Sequence, residues 1–318
     1  MPKFTSESWF LTGPTASGKS AVGLEAARRL NAEIVAMDSM TLYRGMDVGT
    51  DKPSLAKRAA VPHHLLDVLE PWESASVDLY LRLAERAAFE ILASGRRPLF
   101  VGGSPLYLKA CLRGIFNGPP ADPELRQALE AEAARVGTLE LHRRLQSVDP
   151  AAAARILPGD LRRIVRALEV FHATGRRISD WQREFGRKAS PTPPVACIVR
   201  PREEQHRRIN ERVLRMLEAG WVEEVRRLMS TPPDRRPGRS ARQAVGYEEI
   251  ALHLEGRLSR SEMVERIQTR TRQFYKRQMT WFRHIEECVW IETSEAEPDD
   301  VLVERVVEFF ERGATRTA

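Results

Sequence analysis

Residues 13–20 read Gly-Pro-Thr-Ala-Ser-Gly-Lys-Ser, a full match to GxxxxGK[ST]. The match follows the apolar run WFLT at 9–12 and opens SAVGLEAARRLN, whose Ala and Leu spacing is helical. A strand, a glycine loop and a helix in that order confine the chain to a small set of folds built on a parallel sheet. Gly13 and Gly18 let the backbone wrap a phosphate, with Pro14, Thr15, Ala16 and Ser17 presenting N–H groups or shaping the turn. The helix N-terminus adds partial positive charge. Lys19 supplies a point charge for terminal phosphate oxygens, and the Ser20 hydroxyl suits a magnesium ion.

Four further runs have strand character, at 33–37, 98–101, 195–199 and 288–291. Helical spacing recurs at 77–94, before Gly95, and in a long segment near 260–284, where Ser259 and Glu262 fit a capping box. Strands alternating with helices predict an α/β fold, a P-loop NTPase-like parallel sheet covered by helices on both faces. The alternation stops at NGPPADP, 117–123, and resumes after SPTPP, 190–194. Between these proline-marked joints the chain is rich in Ala, Leu and Arg and shows no strand. The predicted organisation is therefore a first part of the core at 1–116, an all-helical insertion at 117–194, and the rest of the core with C-terminal helices at 195–318.

Composition excludes several classes. With 42% apolar and 30% charged residues the chain is too apolar for a disordered protein. No apolar run reaches the roughly 20 residues of a membrane helix, and the first residues lack a signal-peptide core. Cys111, Cys197 and Cys288 form no CxxC pair, which reads as reduced thiols in a cytoplasmic protein. The net charge of +6 is small for 318 residues but unevenly spread. Residues 1–118 are almost balanced, 151–215 and 235–284 carry the basic excess, and 285–318 are acidic. Such blocks suit a nucleic-acid backbone or a plain solvated surface.

The loop recognises a diphosphate and not a base, so its ligand needs a second signal. A nucleotide hydrolase usually ends a later apolar strand in a metal-supporting Asp. Here PLFV at 98–101 runs into Gly102-Gly103-Ser104, which weakens the case for ATP hydrolysis. Asp38 stands instead at the carboxyl end of the second strand, where ligands of such sheets sit. It is a candidate for chemistry, for a helix cap or for metal support. His63 and His64 are adjacent, point apart and complete no metal spacing, so packing and hydrogen bonding is the preferred reading. Tyr107 and Leu108 read as core.

GPTASGKS at 13–20, DSMTLYRGMDVGTDKP at 38–53, VPHHLLDV at 61–68, GGSPLYLKA at 102–110, ADPELR at 121–126, RRIVRALEV at 162–170, RQAVGYEE at 242–249 and KRQMTWFR at 276–283 occur in this order. In these stretches the chain resembles the bacterial tRNA dimethylallyltransferases, also called tRNA isopentenyltransferases, from Leu11 to Arg283. Two positions depart from the family pattern. Thr41 stands where a Gln is usual, and Ser104 where a Thr is usual. Serine keeps the hydroxyl, whereas Thr41 loses an amide donor and acceptor.

The resemblance implies transfer of a dimethylallyl group from dimethylallyl diphosphate to the N6 amine of the adenine 3′-adjacent to the anticodon in tRNA, with release of diphosphate. It implies that Thr15, Lys19 and Ser20 hold the diphosphate with Mg2+, that Arg212 neutralises the departing charge, and that Asp38 is the base. Ser104 would meet the RNA near the target nucleotide. The remaining tRNA contacts would come from Ser39, Met40, Thr41, Arg126, Gln243, Gly246 and Tyr247. Arg162, Arg163 and Arg166, on one insertion helix, would grip the anticodon stem-loop backbone. Lys276, Arg277, Gln278, Trp281 and Arg283, on the long C-terminal helix, offer phosphate contact and stacking, with helix packing as the other reading of Trp281. The expected protein is a cytoplasmic monomer. Competing classes are a small-molecule kinase using the loop for ATP, an isopentenyltransferase acting on free adenylate, and a non-catalytic RNA-binding NTPase.

Overall fold

The computed structural model describes residues 4–115, 118–119, 122–184 and 192–315. The chain divides into two compact units, one of Met1–Leu112 with Ala189–Ala318 and one of Arg113–Lys188. Of the proline-marked joints, Asn117, Pro120, Ala121, Ser190 and Pro191 lie outside the described residues.

The larger unit is built on a six-stranded, wholly parallel sheet. Its strands are β1 (Trp9–Thr12), β2 (Ala32–Ala36), β3 (His63–His64), β4 (Arg97–Gly102), β5 (Val195–Val199) and β6 (Cys288–Glu292). Their order is β3-β2-β4-β1-β5-β6, with the loop-bearing β1 inside. β3 is the strand that sequence reading does not contain. At two residues it is too short to show an alternation, and it exists through pairing with Ile34 and Val35. His63 Nδ1 donates to Val61 O at 2.7 Å, and His64 Nε2 to Glu33 Oε2 at 2.6 Å. That is the hydrogen-bonding role expected of them.

Successive strand residues point to opposite faces, and the two faces build separate cores. Phe10, Val35, Phe100 and Cys197 enter one; Leu11, Ile34, Leu99 and Ile198 enter the other. The first helices of the chain are α1 (Lys19–Arg29) and α2 (Leu55–Ala60), followed by α3 (Val77–Ala93) and α4 (Pro105–Arg113).

The smaller unit is all-helical among its described residues: α5 (Pro123–Val136), α6 (Thr138–Val148), α7 (Pro150–Ala153), α8 (Leu161–Thr174) and α9 (Ile178–Glu184). Leu129, Leu141, Leu145, Ile164, Val165 and Leu168 form its own core. Its helix starts are set by Asp caps. Asp122, Asp149 and Asp160 accept from backbone N–H groups of α5, α7 and α8, and Pro occupies the first turn of α5 and α7. Pro123, read from sequence as part of a joint, is thus the first residue of a helix.

The larger unit continues with α10 (Arg202–Glu218), α11 (Trp221–Met229), α12 (Tyr247–Leu254), α13 (Arg260–Phe282) and α14 (Asp299–Thr315). α1 and α14 cover the Leu11 face, where Val22, Ala26, Leu302, Val306 and Phe310 are buried. α3, α4 and α10 to α13 cover the Phe10 face. Ser259 and Glu262 form the expected capping box at the start of α13. Because β1, β2 and β4 are neighbours, Gly13, Asp38 and Gly103, each just past a strand end, come together at one edge of the sheet.

Candidate active site

The loop between β1 and α1 makes a tight cradle. Gly13 has φ +147°, and a Cβ there would stand 2.5 Å from the Ile198 carbonyl oxygen on neighbouring β5. Ala16 has φ +63°, unusual for a side-chain-bearing residue, so the loop must be held from outside. Side chains on and just before α10 hold it. Gln205 Nε2 donates to Thr15 O at 2.6 Å, Arg208 Nε to Ala16 O at 3.1 Å, and Arg200 Nε to Ser17 O at 2.9 Å. Three successive carbonyls are satisfied by side chains. The Thr15 and Ser17 N–H groups already donate to Gln278 Oε1 and Pro14 O, so neither is presented to a phosphate. The first-turn N–H groups of α1 are the donors that the helix start offers an anion. Sequence reading misses Gln205, Arg208 and Arg200. Gln205 and Arg208 stand seven and four residues before Arg212, one face of a helix, and that spacing is the signal that could have found them.

Lys19 is buried, and its ammonium donates to Pro14 O at 3.2 Å. Burial, with the neighbouring Arg212 guanidinium, lowers its pKa to about 8 against the opposing pull of Asp38 and Asp51. Arg212 Nη1 donates to Thr15 Oγ1 at 3.1 Å, and Nη2 lies 3.3 Å from an Asp51 carboxylate oxygen. Asp38 accepts from the Met40 N–H at 2.9 Å through Oδ1. The Ser104 N–H donates to Met37 O at 3.3 Å, which ties the residue after Gly103 to the residue before Asp38.

A cleft of about 370 Å3 joins Thr15, Asp38, Ser104 and Arg212. Thr15, Asp38, Ser104 and Arg212 contribute polar atoms, and Ile209, Val213, Met216, Trp221 and Phe274 an apolar wall. Ser39, Met40, Gln243 and Arg277 also line it. The segment after Asp38 is fixed by two buried groups that sequence reading does not single out. Glu224 accepts from the N–H groups of Asp47, Val48 and Gly49 at 2.6, 2.7 and 3.0 Å, and from the Tyr247 hydroxyl at 2.7 Å. Lys52, with its side chain 1% exposed, bonds Asp47, Asp67 and the Tyr43 carbonyl.

Several residues expected at an RNA surface are not there. Gln278 is buried, accepts from the Thr15 N–H at 2.9 Å and donates to Gly103 O at 2.6 Å. Thr41 is buried, its hydroxyl donating to Asp38 O at 3.2 Å. Gly246 is the buried N-cap of α12, and a Cβ on it would meet the Trp221 ring at 2.2 Å. Tyr247 is buried on Glu224, and burial together with that carboxylate raises its phenol pKa. In the smaller unit Arg126 and Arg166 stay partly exposed, but their guanidinium groups are engaged by the fully buried Glu169. Arg126 binds it through two nitrogens at 2.9 and 3.0 Å, and Arg166 at 2.6 Å. Burial pushes the Glu169 carboxyl pKa up, and the hydrogen bonds from Arg126 and Arg166 outweigh it and hold the pKa below its ordinary value. Exposed as expected are Arg162 and Arg163 on α8, and Lys276, Arg277, Trp281 and Arg283 on or just after α13.

Ser20 is exposed in the first turn of α1, beside Lys19. Among the described residues no three His, Cys, Asp or Glu side chains converge as a metal-binding group. One hydroxyl completed by phosphate oxygens and water suits Mg2+, which is commonly bound through its substrate, so the residues fit that ion. No helix among the described residues is long and apolar enough to cross a membrane.

The family model described as IPP transferase matches residues 41–285. The chain belongs to the IPP transferase family. Other family members include the tRNA dimethylallyltransferase of Thermomicrobium roseum, 46% identical over 93% of this chain and 89% of its own length. That of Geobacillus kaustophilus is 41% identical over 90% of both. Among solved structures, the full-length tRNA isopentenylpyrophosphate transferase of Bacillus halodurans superposes with a TM-score of 0.72, at 33% identity and 98% coverage of each chain. A eukaryotic dimethylallyltransferase acting on tRNA shares the fold, with a TM-score of 0.78 at 24% identity over 94% of this chain and 77% of its own. The fold built on the six-stranded parallel sheet is similar to that of these solved structures.

Proposed function

We propose that the chain transfers the dimethylallyl group of dimethylallyl diphosphate to the N6 amine of the adenine 3′-adjacent to the anticodon in tRNA, releasing diphosphate. The carrying observation is one cleft lined by Thr15 of the phosphate loop together with Arg212, Asp38 and Ser104, with the buried Lys19 ammonium on Pro14 O of the same loop, while Gly103 stands where a nucleotide hydrolase needs an acid. Family membership and relatives over 40% identical, named for this activity, support the same reading.

The chemistry is alkyl transfer from an allylic carbon. The C–O bond to diphosphate breaks as the N–C bond forms, and the amine loses one proton. Lys19, Arg212 and the first-turn N–H groups of α1 stabilise the charge gathering on the leaving diphosphate. Ser20 would help to hold Mg2+, which would supply further charge neutralisation there. Asp38 takes the proton from N6, a proton made acidic only as nitrogen gains positive charge. Ser104, beside Asp38, orients the acceptor base. The apolar wall of Ile209, Val213, Met216 and Trp221 receives the five-carbon group and keeps water from the allylic carbon.

An adenine stacked in an anticodon loop cannot reach that carbon, so it is extruded, which costs least in a single-stranded loop. Lys276, Arg277 and Arg283 in the larger unit, and Arg162 and Arg163 in the smaller, supply phosphate contacts to the stem-loop. The enzyme would work as a cytoplasmic monomer. The test is incubation with dimethylallyl diphosphate, Mg2+ and unmodified tRNA, followed by mass analysis of nucleosides. One added prenyl group on that adenine is expected. Unmodified tRNA, with a small molecule phosphorylated from ATP, would overturn the reading.

A further inference from the structure

We infer that Gln278 is a positioning residue for the transfer, its buried amide setting the diphosphate loop against the Gly103–Ser104 segment that meets the acceptor base. The inference rests on the prenyl-transfer reading above. Gln278 is 3% exposed on α13, and both ends of its amide are used in one direction. Oε1 accepts from the Thr15 N–H at 2.9 Å and Nε2 donates to Gly103 O at 2.6 Å. The reversed amide would set oxygen against a carbonyl and N–H against N–H, so only one orientation satisfies the four groups.

Gly103 is shaped to this contact, since a Cβ there would stand 2.9 Å from Nε2. Thr15 is held at every polar atom. Its N–H goes to Gln278, its carbonyl receives Gln205, and its hydroxyl receives Arg212. From Gly103 the connection continues through the Ser104 N–H to Met37 O, the residue before Asp38. One side chain therefore links the loop that would hold the leaving group to the segments that carry the base and its neighbour. Gln278 does not line the cleft, so it acts through Thr15 and Gly103 and not on substrate.

A misplacement of about 1 Å between reacting groups can cost roughly 100-fold in rate without loss of binding. The Gln278→Met variant, of similar size but without the amide, is expected to transfer prenyl groups to tRNA with kcat lowered about 100-fold. Its KM for dimethylallyl diphosphate and Kd for tRNA should stay within about threefold, because each binding surface survives. The Gln278→Glu variant adds a pH signature. Ionised, the carboxylate only accepts and faces the Gly103 carbonyl; protonated, it offers one acceptor and one donor, as the amide does. Its rate relative to the unmodified enzyme should rise as pH falls, while the Met variant's ratio stays flat. Where the Met variant does not fold, the Glu ratio carries the test. A kcat within about threefold of the unmodified enzyme, a loss wholly in KM, or a flat Glu ratio overturns the proposal. No transfer by the unmodified enzyme would instead overturn the prenyl-transfer reading.

Discussion

Arg212 reaches Thr15 with one guanidinium nitrogen, 3.1 Å from its hydroxyl oxygen, and keeps the other 3.3 Å from the Asp51 carboxylate. In the proposed reaction the Asp51 carboxylate would compete with the diphosphate for that second nitrogen. A Lys cannot serve both sides of that fork. Arg212→Lys is expected to lower kcat/KM for dimethylallyl diphosphate about 100-fold, measured in steady state with saturating tRNA.

Asp38 carries a different prediction, because the proposed reaction makes it the base for the acceptor amine. Asp38→Asn keeps the size and loses the proton acceptor. Transfer should fall at least about 100-fold. At about pH 6, below the Lys19 titration, inorganic diphosphate should bind as tightly or more so, since a negative charge near Lys19 is gone. Calorimetry beside single-turnover kinetics separates the two effects, and weakened diphosphate binding would contradict them.

Lys19 makes binding depend on pH. Its free-state pKa is about 8, and a bound diphosphate favours the charged ammonium and raises that value. Affinity is therefore fully present below about pH 8. It declines as pH climbs above that value, where the free enzyme must first take up a proton. Titration of diphosphate binding from about pH 6.5 to about 9.5 should show this decline, and Lys19→Met should abolish both the affinity and its pH dependence.

Glu224 tests the scaffold behind the cleft. Glu224→Ala leaves three backbone N–H groups and the Tyr247 hydroxyl without their acceptor. Stability should drop by about 3 kcal/mol in urea unfolding, given the cost of buried unpaired donors. A loss below about 1 kcal/mol would show that the 47–49 segment is held by other means.

The exposed arginines predict a salt effect. Replacing Arg162 and Arg163 together by Ala should weaken tRNA binding at low salt. It should also flatten the plot of log affinity against log salt, by up to about 0.7–0.9 for each phosphate that is no longer neutralised. The matching change of Arg126 should instead unsettle the smaller unit, because its guanidinium is bound to buried Glu169.

Local signals carry much of this structure. The phosphate loop, the strand–helix alternation and the Ser259 capping box each fit within a few residues, where chain geometry leaves few choices. Asp38 and Ser104 are legible because they follow strands whose carboxyl ends must meet. Gln278, Gly246 and Tyr247 read as RNA-facing, since a recurring segment says nothing of which way a side chain points. On α13 the exposed Lys276 and Arg277 stand directly beside buried Gln278. The Arg126–Glu169 pairing spans 43 residues and leaves no spacing to recognise. β3 is invisible for a similar reason, as its two residues owe their strand to a neighbour.

The cradle at residues 13–18 is completed by Arg200, Gln205, Arg208 and Gln278, made long after it during synthesis. β1 pairs on one side with β4, but on the other only with β5, which begins at Val195. A nascent chain shorter than that carries an open, largely apolar sheet edge, the kind of surface that pairs with other chains. The order of translation therefore leaves the phosphate site unfinished, and its strand in need of protection, until the residues from Val195 to Gln278 have been made.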